Sequence, residues 1–186
     1  MDIAIFTLGT NHIYRLKETG EIVDNCQKRP QKLFQEEELT VDDCCGYLEK
    51  AIGILRHRNH SVKVIITVSP IRYAKYGYHG SQLSKATLLL AVDRLVRCPA
   101  IECSGNLSYF PAYEIVNDEL RDYRFYASDM LHPSQQAVDY IWERFVDVVF
   151  SDSAKRYLQE WKPIKEALAH RPFNPDSDAY RSFLSR

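Results

Sequence analysis

Two residues of this 186-residue chain have the types and spacing of an acid–base pair. Asp129 precedes His132 by three residues, in a turn-like segment that continues into Pro133 and Ser134. In a catalytic triad the carboxylate orients the imidazole, and the imidazole takes a proton from a nucleophilic hydroxyl. Proline fits the first position of a helix because its missing N–H needs no partner there. The pattern therefore predicts two members of a serine-hydrolase site on a rigid corner before a helix.

The nucleophile of such a triad is not evident among the serines of the chain. Ser69 follows a run of β-branched residues, and Ser104 precedes Gly105 in a turn signal. Neither serine lies in the Gly-x-Ser-x-Gly elbow that exposes a nucleophile in many hydrolases. Both are expected to serve turns, and an internal nucleophile stays open as the alternative.

Four further residues at predicted strand ends could contact a substrate. Gly9 and Asn11 follow the first strand, where an amide could donate to an oxyanion, an interaction worth about 3–4 kcal/mol in known enzymes. The alternative is that these two residues only form the turn. His12 either lines the site or lies on the surface. Arg72 either binds an anionic or carbonyl group of a substrate or pairs with a surface carboxylate.

Neither the histidines nor the cysteines form a metal-binding pattern. His57 and His60 fall near a predicted helix end, with no carboxylate or cysteine at ligand spacing. The five cysteines are odd in number and include no C-x-x-C pair, which argues against a disulfide framework or a zinc site. Reduced thiols in a cytosolic setting are expected. No metal or organic cofactor is expected, because acyl transfer by a serine mechanism needs none.

Length and composition favour one soluble globular domain. The chain is 45% apolar and 26% charged, with a net charge of −1. Nucleic-acid binding is not expected, because the main basic run, residues 27–32, is followed by the acidic run 36–38. No apolar run approaches a membrane span, and a strand pattern follows Met1 directly where a signal peptide would stand. A cytoplasmic location is therefore expected.

Hydrophobic periodicity predicts strands that alternate with helices. The predicted strands are residues 2–8, 62–68 and either 100–103 or 107–110. The predicted helices begin after Thr40, with Asp43 in capping-box position, and after Pro133, and also span about 82–96 and 154–169. This order is typical of a parallel sheet with helices on both faces, which binds ligands beyond the carboxyl ends of its strands. Residues 18–38 show little periodicity. The sequence predicts one domain over residues 1–170 and a C-terminal tail over residues 171–186.

Several segments together resemble the GSCFA-domain family, a branch of the SGNH/GDSL-like hydrolases. They are residues 8–14, 68–72, 82–86, 109–115, and 122–126 running into 129–134. The resemblance covers nearly the whole chain. It implies a three-layer α/β/α sandwich with a parallel sheet of flavodoxin-like order, truncated at its N-terminus.

The resemblance also implies roles for particular residues. Asn11 matches the oxyanion-hole Asn block, and Asp129 and His132 match the Asp-x-x-His block. The Gly-Ser-Cys-Phe-Ala segment with the nucleophile, and the Gly block after it, would precede residue 1. The strand at 2–8 would then lack its neighbour. An unpaired apolar edge of this kind is expected to make the chain associate through residues 2–8.

Two functional interpretations follow from the resemblance. In the first, the chain derives from a hydrolase of small acyl esters, such as an acylated carbohydrate, and is inactive alone because the serine segment is missing. His132 would be the general base, Asp129 its orienting carboxylate and Asn11 an oxyanion donor. In the second, the chain is a truncated or diverged module that binds a ligand or partner without catalysis.

Overall fold

The computed structural model describes residues 1–23, 26, 28–98, 106–169 and 178–184. The chain forms two compact units, Met1–Ile141 and Trp142–Arg186. In chain order the strands are β1 (Ile3–Leu8), β2 (His12–Leu16), β3 (Ile22–Val23), β4 (Phe34–Glu38), β5 (Lys63–Val68) and β6 (Leu107–Phe110). The α-helices are α1 (Val41–Arg58), α2 (Gly77–Val96), α3 (Ala112–Glu114), α4 (Gln135–Val149), α5 (Asp152–Ala169) and α6 (Asp178–Leu184). No helix in these ranges is long and apolar enough to cross a lipid bilayer.

The first unit is built on a parallel sheet in the order β1-β5-β6. β5 is central because its β-branched residues are buried from Val64 to Val68 and suit both faces of a covered strand. On one face, Val64, Ile66 and Val68 pack in a core cluster with apolar side chains of α1 and α2. Leu48 and Ile52 of α1 belong to this cluster. The strand predicted at 62–68 and the two helices are confirmed.

The opposite face of the central strand β5 is also buried. Side chains alternate along a strand, so Ile65 and Thr67 lie on the face away from α1 and α2, and both are buried. α3 contacts β5, and the chain continues from α3 into a π-helical turn at Ile115–Leu120, whose Ile115 and Val116 are buried outside the cluster of α1 and α2. The sheet therefore lies between two helical layers, which confirms the predicted α/β/α sandwich.

β1 is an edge strand within the described part of the chain, since β5 is its neighbour on one side only. Its even-numbered residues face the core cluster, whereas Ile3 and Ile5 lie on the other face and are 47% and 52% exposed. An apolar edge strand of this kind was expected from the resemblance.

Local signals define the ends of the helices on either side of the sheet. Thr40 caps α1: its side chain accepts from the Asp43 N–H, and the Asp43 carboxylate accepts from the Thr40 N–H. The predicted capping box is therefore confirmed. The expectation for Pro133 was wrong, because α4 begins at Gln135 and Ser134 accepts the Ala137 N–H in the capping position. Pro133 instead pairs with Tyr126 in an isolated β-bridge.

Two strands of a second sheet, β3 and β4, lie in the segment 18–38, for which the low periodicity predicted no regular element. β2 pairs with β3 and β4 in an antiparallel sheet of order β3-β2-β4. Cross-strand charge pairs hold it together, such as the two hydrogen bonds from the Arg15 guanidinium to the Glu37 carboxylate at 3.0 and 3.1 Å. The strand predicted at 107–110 is β6, and the alternative at 100–103 lies outside the described residues.

The second unit consists of the end of α4 followed by α5 and α6. The rings of Trp142, Phe145 and Phe150 contact one another, with centroids 5.6–6.1 Å apart. α5 starts at Asp152 after Ser151, whose side chain accepts from the Ala154 N–H. α6 falls within the segment predicted as a tail.

Candidate active site

Asp129 and His132 form a hydrogen-bonded pair at a turn in the first unit. The His132 Nδ1 lies 2.6 Å from the Asp129 Oδ2. The other carboxylate oxygen, Oδ1, accepts the backbone N–H groups of Leu131 at 2.9 Å and of His132 at 3.0 Å. The turn is closed by a bond from the Ala127 N–H to the His132 carbonyl at 2.7 Å. Both carboxylate oxygens are therefore fixed, and the imidazole is fixed with them.

The charge of Asp129 follows from these bonds. The backbone N–H of His132, that of Leu131 and the His132 side chain lower the pKa of Asp129 from 3.8 to about 2. Because the folded pKa lies below the ordinary one, the carboxylate stabilises the turn above about pH 4, and this stabilisation is lost as the pH falls toward 2. With Asp129 ionised, Nδ1 carries the proton and donates it, which leaves Nε2 as the acceptor. The described residues offer Nε2 no hydrogen-bond donor, and the side chain is 59% exposed.

Arg72 joins this turn to the carboxyl end of β5. Its backbone N–H donates to the Leu131 carbonyl at 3.1 Å, and its Nη1 lies 3.4 Å from the Met130 carbonyl oxygen. The guanidinium carbon lies 3.9 Å from the centre of the Tyr126 ring. Among the described residues no carboxylate pairs with Arg72, so the alternative of a surface ion pair finds no support there.

Two cavities open beside Arg72. One, of about 220 Å³, is lined also by Asn117, Arg121 and Tyr126. The other, of about 460 Å³, is lined also by Gln82 and residues of the Asp129–His132 turn and its surroundings: Tyr78, Ser81, Tyr123 and Met130. Tyr123 and Tyr126 therefore form walls of these cavities.

The loop after β1 is held by polar side chains of α2. The Ser84 Oγ accepts the Asn11 N–H at 2.9 Å and contacts the Thr10 hydroxyl at 3.0 Å. The Asn11 Nδ2 donates to the Leu39 carbonyl at 2.8 Å, and its buried Oδ1 has no partner among the described residues. Asn11 thus has a turn-forming role, and its second Nδ2 hydrogen is not used by these bonds. No described contact joins Asn11 to His132.

Lys85 is the most unusual residue under this loop. Its side chain is 2% exposed, and its ammonium donates to the Gly9 carbonyl. The nitrogen also lies 5.2 Å from the centre of the Tyr73 ring, within range of a cation–π contact. Burial lowers the pKa of Lys85 from 10.5 to about 8. A charged lysine is therefore held under the strand end that carries Gly9 and Asn11.

Gly9 is required because Tyr73 occupies the space of a side chain. A Cβ at Gly9 would lie 2.5 Å from the Tyr73 hydroxyl oxygen but 3.5 Å from the ring carbon that carries it. We expect Gly9→Ala to destabilise the fold by about 1–3 kcal/mol through overpacking. In a Tyr73→Phe background the same change is expected to cost less, because only the ordinary ring contacts at 3.5 and 3.8 Å remain. Urea unfolding of the four proteins of this double-mutant cycle measures the coupling.

The control for this cycle is Gly53→Ala, since a Cβ at Gly53 in α1 meets no atom within 4 Å. Alanine is the better helix former, so this control is expected to stabilise by about 0.5–1 kcal/mol. An equal cost of Gly9→Ala with and without the Tyr73 hydroxyl would contradict the assignment.

His12 belongs to a polar cluster on the second sheet. Its side chain is 8% exposed, and its ring stacks on Tyr76 with centroids 3.6 Å apart. Its two nitrogens lie 3.7 Å and 3.9 Å from the carboxylates of Glu36 and Glu38. Lys75 binds both Glu36 oxygens at 2.8 Å. The described contacts of His12 are thus with this cluster.

A family model described as the GSCFA family matches residues 1–145. The chain belongs to the GSCFA family. A second model, described as the C-terminal domain of GSCFA domain proteins, matches residues 161–186. No curated protein and no solved structure matches the chain. The match to the GSCFA family confirms the family suggested by the sequence segments.

The GSCFA match includes residues that sequence reasoning did not single out as functional. Ser84 and Lys85 hold the loop after β1 and lie inside one of the segments that carried the resemblance. They occupy the same helical stripe as buried Leu88, Val92 and Leu95, so polar residues at core positions were the available signal.

The other serines, histidines and cysteines considered in the sequence analysis have no partner in the candidate site of this GSCFA chain among the described residues. The Ser69 Oγ accepts the Ile71 N–H at 3.3 Å, which agrees with a turn role. His57 and His60 are exposed, and no group of metal-ligating side chains occurs among the described residues. Cys26, Cys44, Cys45 and Cys98 are free, and burial raises the pKa of Cys44 to about 11. Ser104 and Cys103 lie outside the described residues.

Proposed function

We propose that this GSCFA protein hydrolyses ester bonds of small acyl groups by a serine mechanism of the SGNH type. The observation that carries the proposal is the 2.6 Å bond between the His132 Nδ1 and a carboxylate that two backbone N–H groups also hold. A pair held in this way keeps Nε2 free to take the proton of a hydroxyl. The family membership supports the same assignment.

The nucleophile of the proposal is the serine of a Gly-Ser-Cys-Phe-Ala segment outside the 186 residues. In the proposal this segment precedes β1 and follows a strand that would pair with the free edge of β1. The edge position of β1 supports this placement. The 186 residues alone are then expected to lack turnover.

In the proposed reaction the serine Oγ attacks the ester carbonyl carbon while the His132 Nε2 takes the Oγ proton. The ester C–O bond then breaks, and the leaving alcohol receives that proton from His132. A water molecule attacks the acyl-enzyme, again giving its proton to Nε2. The carboxylic acid leaves, and the serine regains its proton. Asp129 stays ionised throughout and stabilises the imidazolium.

The remaining predicted residues act around this centre in the proposal. Asn11 supplies its second Nδ2 hydrogen to the oxyanion, while the first stays on the Leu39 carbonyl. Gly9 lets the strand end approach Tyr73 closely. Arg72 binds the substrate beside the turn, and His12 fixes the second sheet at its cluster with Tyr76.

The test compares the 186-residue chain with the protein extended by the residues encoded directly before Met1. We expect the extended protein to hydrolyse p-nitrophenyl acetate, and His132→Ala to reduce kcat by a factor on the order of 10⁴ or more. His57→Ala is the matched control, because His57 is an exposed histidine on α1, and it is expected to leave kcat unchanged. Full activity in His132→Ala, or the absence of a Gly-Ser-Cys-Phe-Ala-like segment upstream, would overturn the proposal.

We also propose that the 186-residue chain associates through the free edge of β1. An unpaired strand edge with exposed Ile3 and Ile5 is a template for pairing with another chain. Ile5→Lys is expected to shift sedimentation velocity profiles toward the monomer, because an edge lysine opposes strand pairing. Ile54→Lys, on the exposed side of α1, is the control and is expected to change nothing. A wild-type chain that stays monomeric at high concentration would contradict this association.

A further inference from the structure

Arg72 carries unused hydrogen-bond donors beside the Asp129–His132 turn. A guanidinium has five N–H donors in a planar fork. Of these, one meets an acceptor in the described part of the chain, the Met130 carbonyl, at a long 3.4 Å. The side chain is half-buried, so its position is restricted while its edge remains open.

Tyrosines fix the plane of this guanidinium. The Tyr126 ring centre lies 3.9 Å from the Arg72 Cζ, and the Tyr123 and Tyr78 ring centres lie 5.7 Å and 6.0 Å from it. Stacking occupies the face of the guanidinium and leaves its edge for a planar or tetrahedral anion. An arginine ordered in advance loses little conformational entropy when it binds such a group.

The charge around the smaller cavity is also positive. Arg121 lines it together with Arg72, and no described carboxylate pairs with Arg121. Asp122 also lines it, but its carboxylate is already bonded to the Arg124 backbone N–H at 2.9 Å and side chain at 3.3 Å. The cavity therefore has two cations against one neutralised carboxylate.

The backbone is strained on both sides of Arg72. Arg121 and Met130 have φ values of 40° and 60°, in the left-handed region that is strained for a non-glycine residue. Arg121 ends the π-helical turn, where its N–H bonds to the Val116 carbonyl at 3.1 Å. Strain at two segments that meet at one arginine is typical of a ligand site.

We infer that Arg72 binds an anionic group of the substrate, so that the preferred esters carry a carboxylate or a phosphate next to the scissile bond. The anion would lie on the Arg72 edge, and the ester would extend over the Asp129–His132 turn, to which Arg72 is bonded through Leu131 and Met130. The ester part of this inference rests on the proposed function, whereas the anion site is testable without turnover.

The test measures equilibrium binding to the 186-residue chain by ¹⁵N NMR at the Arg72 Nε. The probes are monomethyl succinate, its neutral counterpart dimethyl succinate, and methyl phosphate. We expect the anionic probes to bind about 10- to 100-fold more tightly than dimethyl succinate, as for a hydrogen-bonded charge pair. Tighter binding of monomethyl succinate assigns a carboxylate substrate, and tighter binding of methyl phosphate assigns a phosphate. Raising the salt concentration from about 0.05 M to about 0.5 M should weaken only the anionic probes.

Variants separate Arg72 from general surface charge. Arg72→Gln is expected to abolish the preference for anions, and Arg72→Lys to retain part of it, since lysine keeps the charge without the planar fork. Arg58→Gln, at the exposed end of α1, is the matched control. Should Arg72→Gln fail to fold, Arg121→Gln tests the positive electrostatic potential of the same cavity. It is expected to weaken anion binding about threefold.

The outcomes are distinguishable from those of the hydrolysis test. Equal binding of monomethyl and dimethyl succinate, or a preference that survives Arg72→Gln, would overturn the anion site even if the extended protein hydrolyses esters. Selective anion binding that depends on Arg72 would support the site even if no hydrolysis is found.

Discussion

Asp129→Asn is expected to lower kcat of the extended protein for p-nitrophenyl acetate by about 10⁴-fold while leaving the fold intact. The asparagine oxygen can still accept the N–H groups of Leu131 and His132, so the turn keeps its backbone bonds. Its NH₂ group would face the His132 Nδ1, which then has to accept a hydrogen bond with its lone pair. The imidazole therefore changes tautomer, and Nε2 carries a hydrogen where the mechanism needs a lone pair.

Two measurements check this result. Steady-state kinetics give the loss of kcat, and Asp93→Asn, which removes an exposed carboxylate paired with Arg97, is the control expected to retain full activity. Imidazole ¹⁵N shifts of the 186-residue chain at about pH 9 report the tautomer without any turnover. A variant that keeps the Nδ1–H tautomer would contradict the orienting role of Asp129, and unchanged kcat would contradict its place in the mechanism.

The Asp129–His132 pair could be predicted from sequence because all of its bonds lie within one turn. The carboxylate binds residues two and three positions ahead, so spacing alone brings the groups together. The capping box of Thr40 and Asp43 is local in the same sense. β5 was equally predictable, since its β-branched run is buried on both faces whichever strands pair with it.

The second sheet could not be predicted because its stabilising contacts come from other strands. β4 reads as a run of acidic residues with low strand propensity. Its Glu37 is paired with Arg15 of β2, and its Glu36 with Lys75, which lies 39 positions away in the chain. The hydrophobic pattern of a segment does not report ion pairs with residues that are distant in sequence. A polar strand such as β4 therefore has the sequence pattern of a loop.

The role of Arg72 was open for a similar reason. The sequence allowed either an ion pair or a ligand-binding arginine, because the partners of a residue after a strand end are set by other loops. The decisive neighbours, Tyr126 and Met130, come from a segment more than 50 residues away.

Lys85→Met is expected to remove a rise in stability between about pH 8 and pH 10.5. The pKa of Lys85 is lowered from 10.5 to about 8 because its ammonium is buried. In this window the unfolded chain binds more protons than the folded one, so the free energy of unfolding increases with pH. The full difference between the two pKa values corresponds to roughly 3 kcal/mol, which the wild type should gain relative to the methionine variant.

The difference between the two proteins isolates Lys85 from other groups that titrate in this range. Burial raises the pKa of Cys44 to about 11 and acts in the opposite direction, but equally in both proteins. Urea unfolding at about pH 7, 9 and 10.5 gives the comparison, with Lys50→Met on the exposed side of α1 as control. Parallel stability curves for wild type and Lys85→Met would show that Lys85 is not the buried cation. The neutral amine keeps hydrogens for the Gly9 carbonyl, so the loop that carries Asn11 should retain its amide exchange protection at high pH.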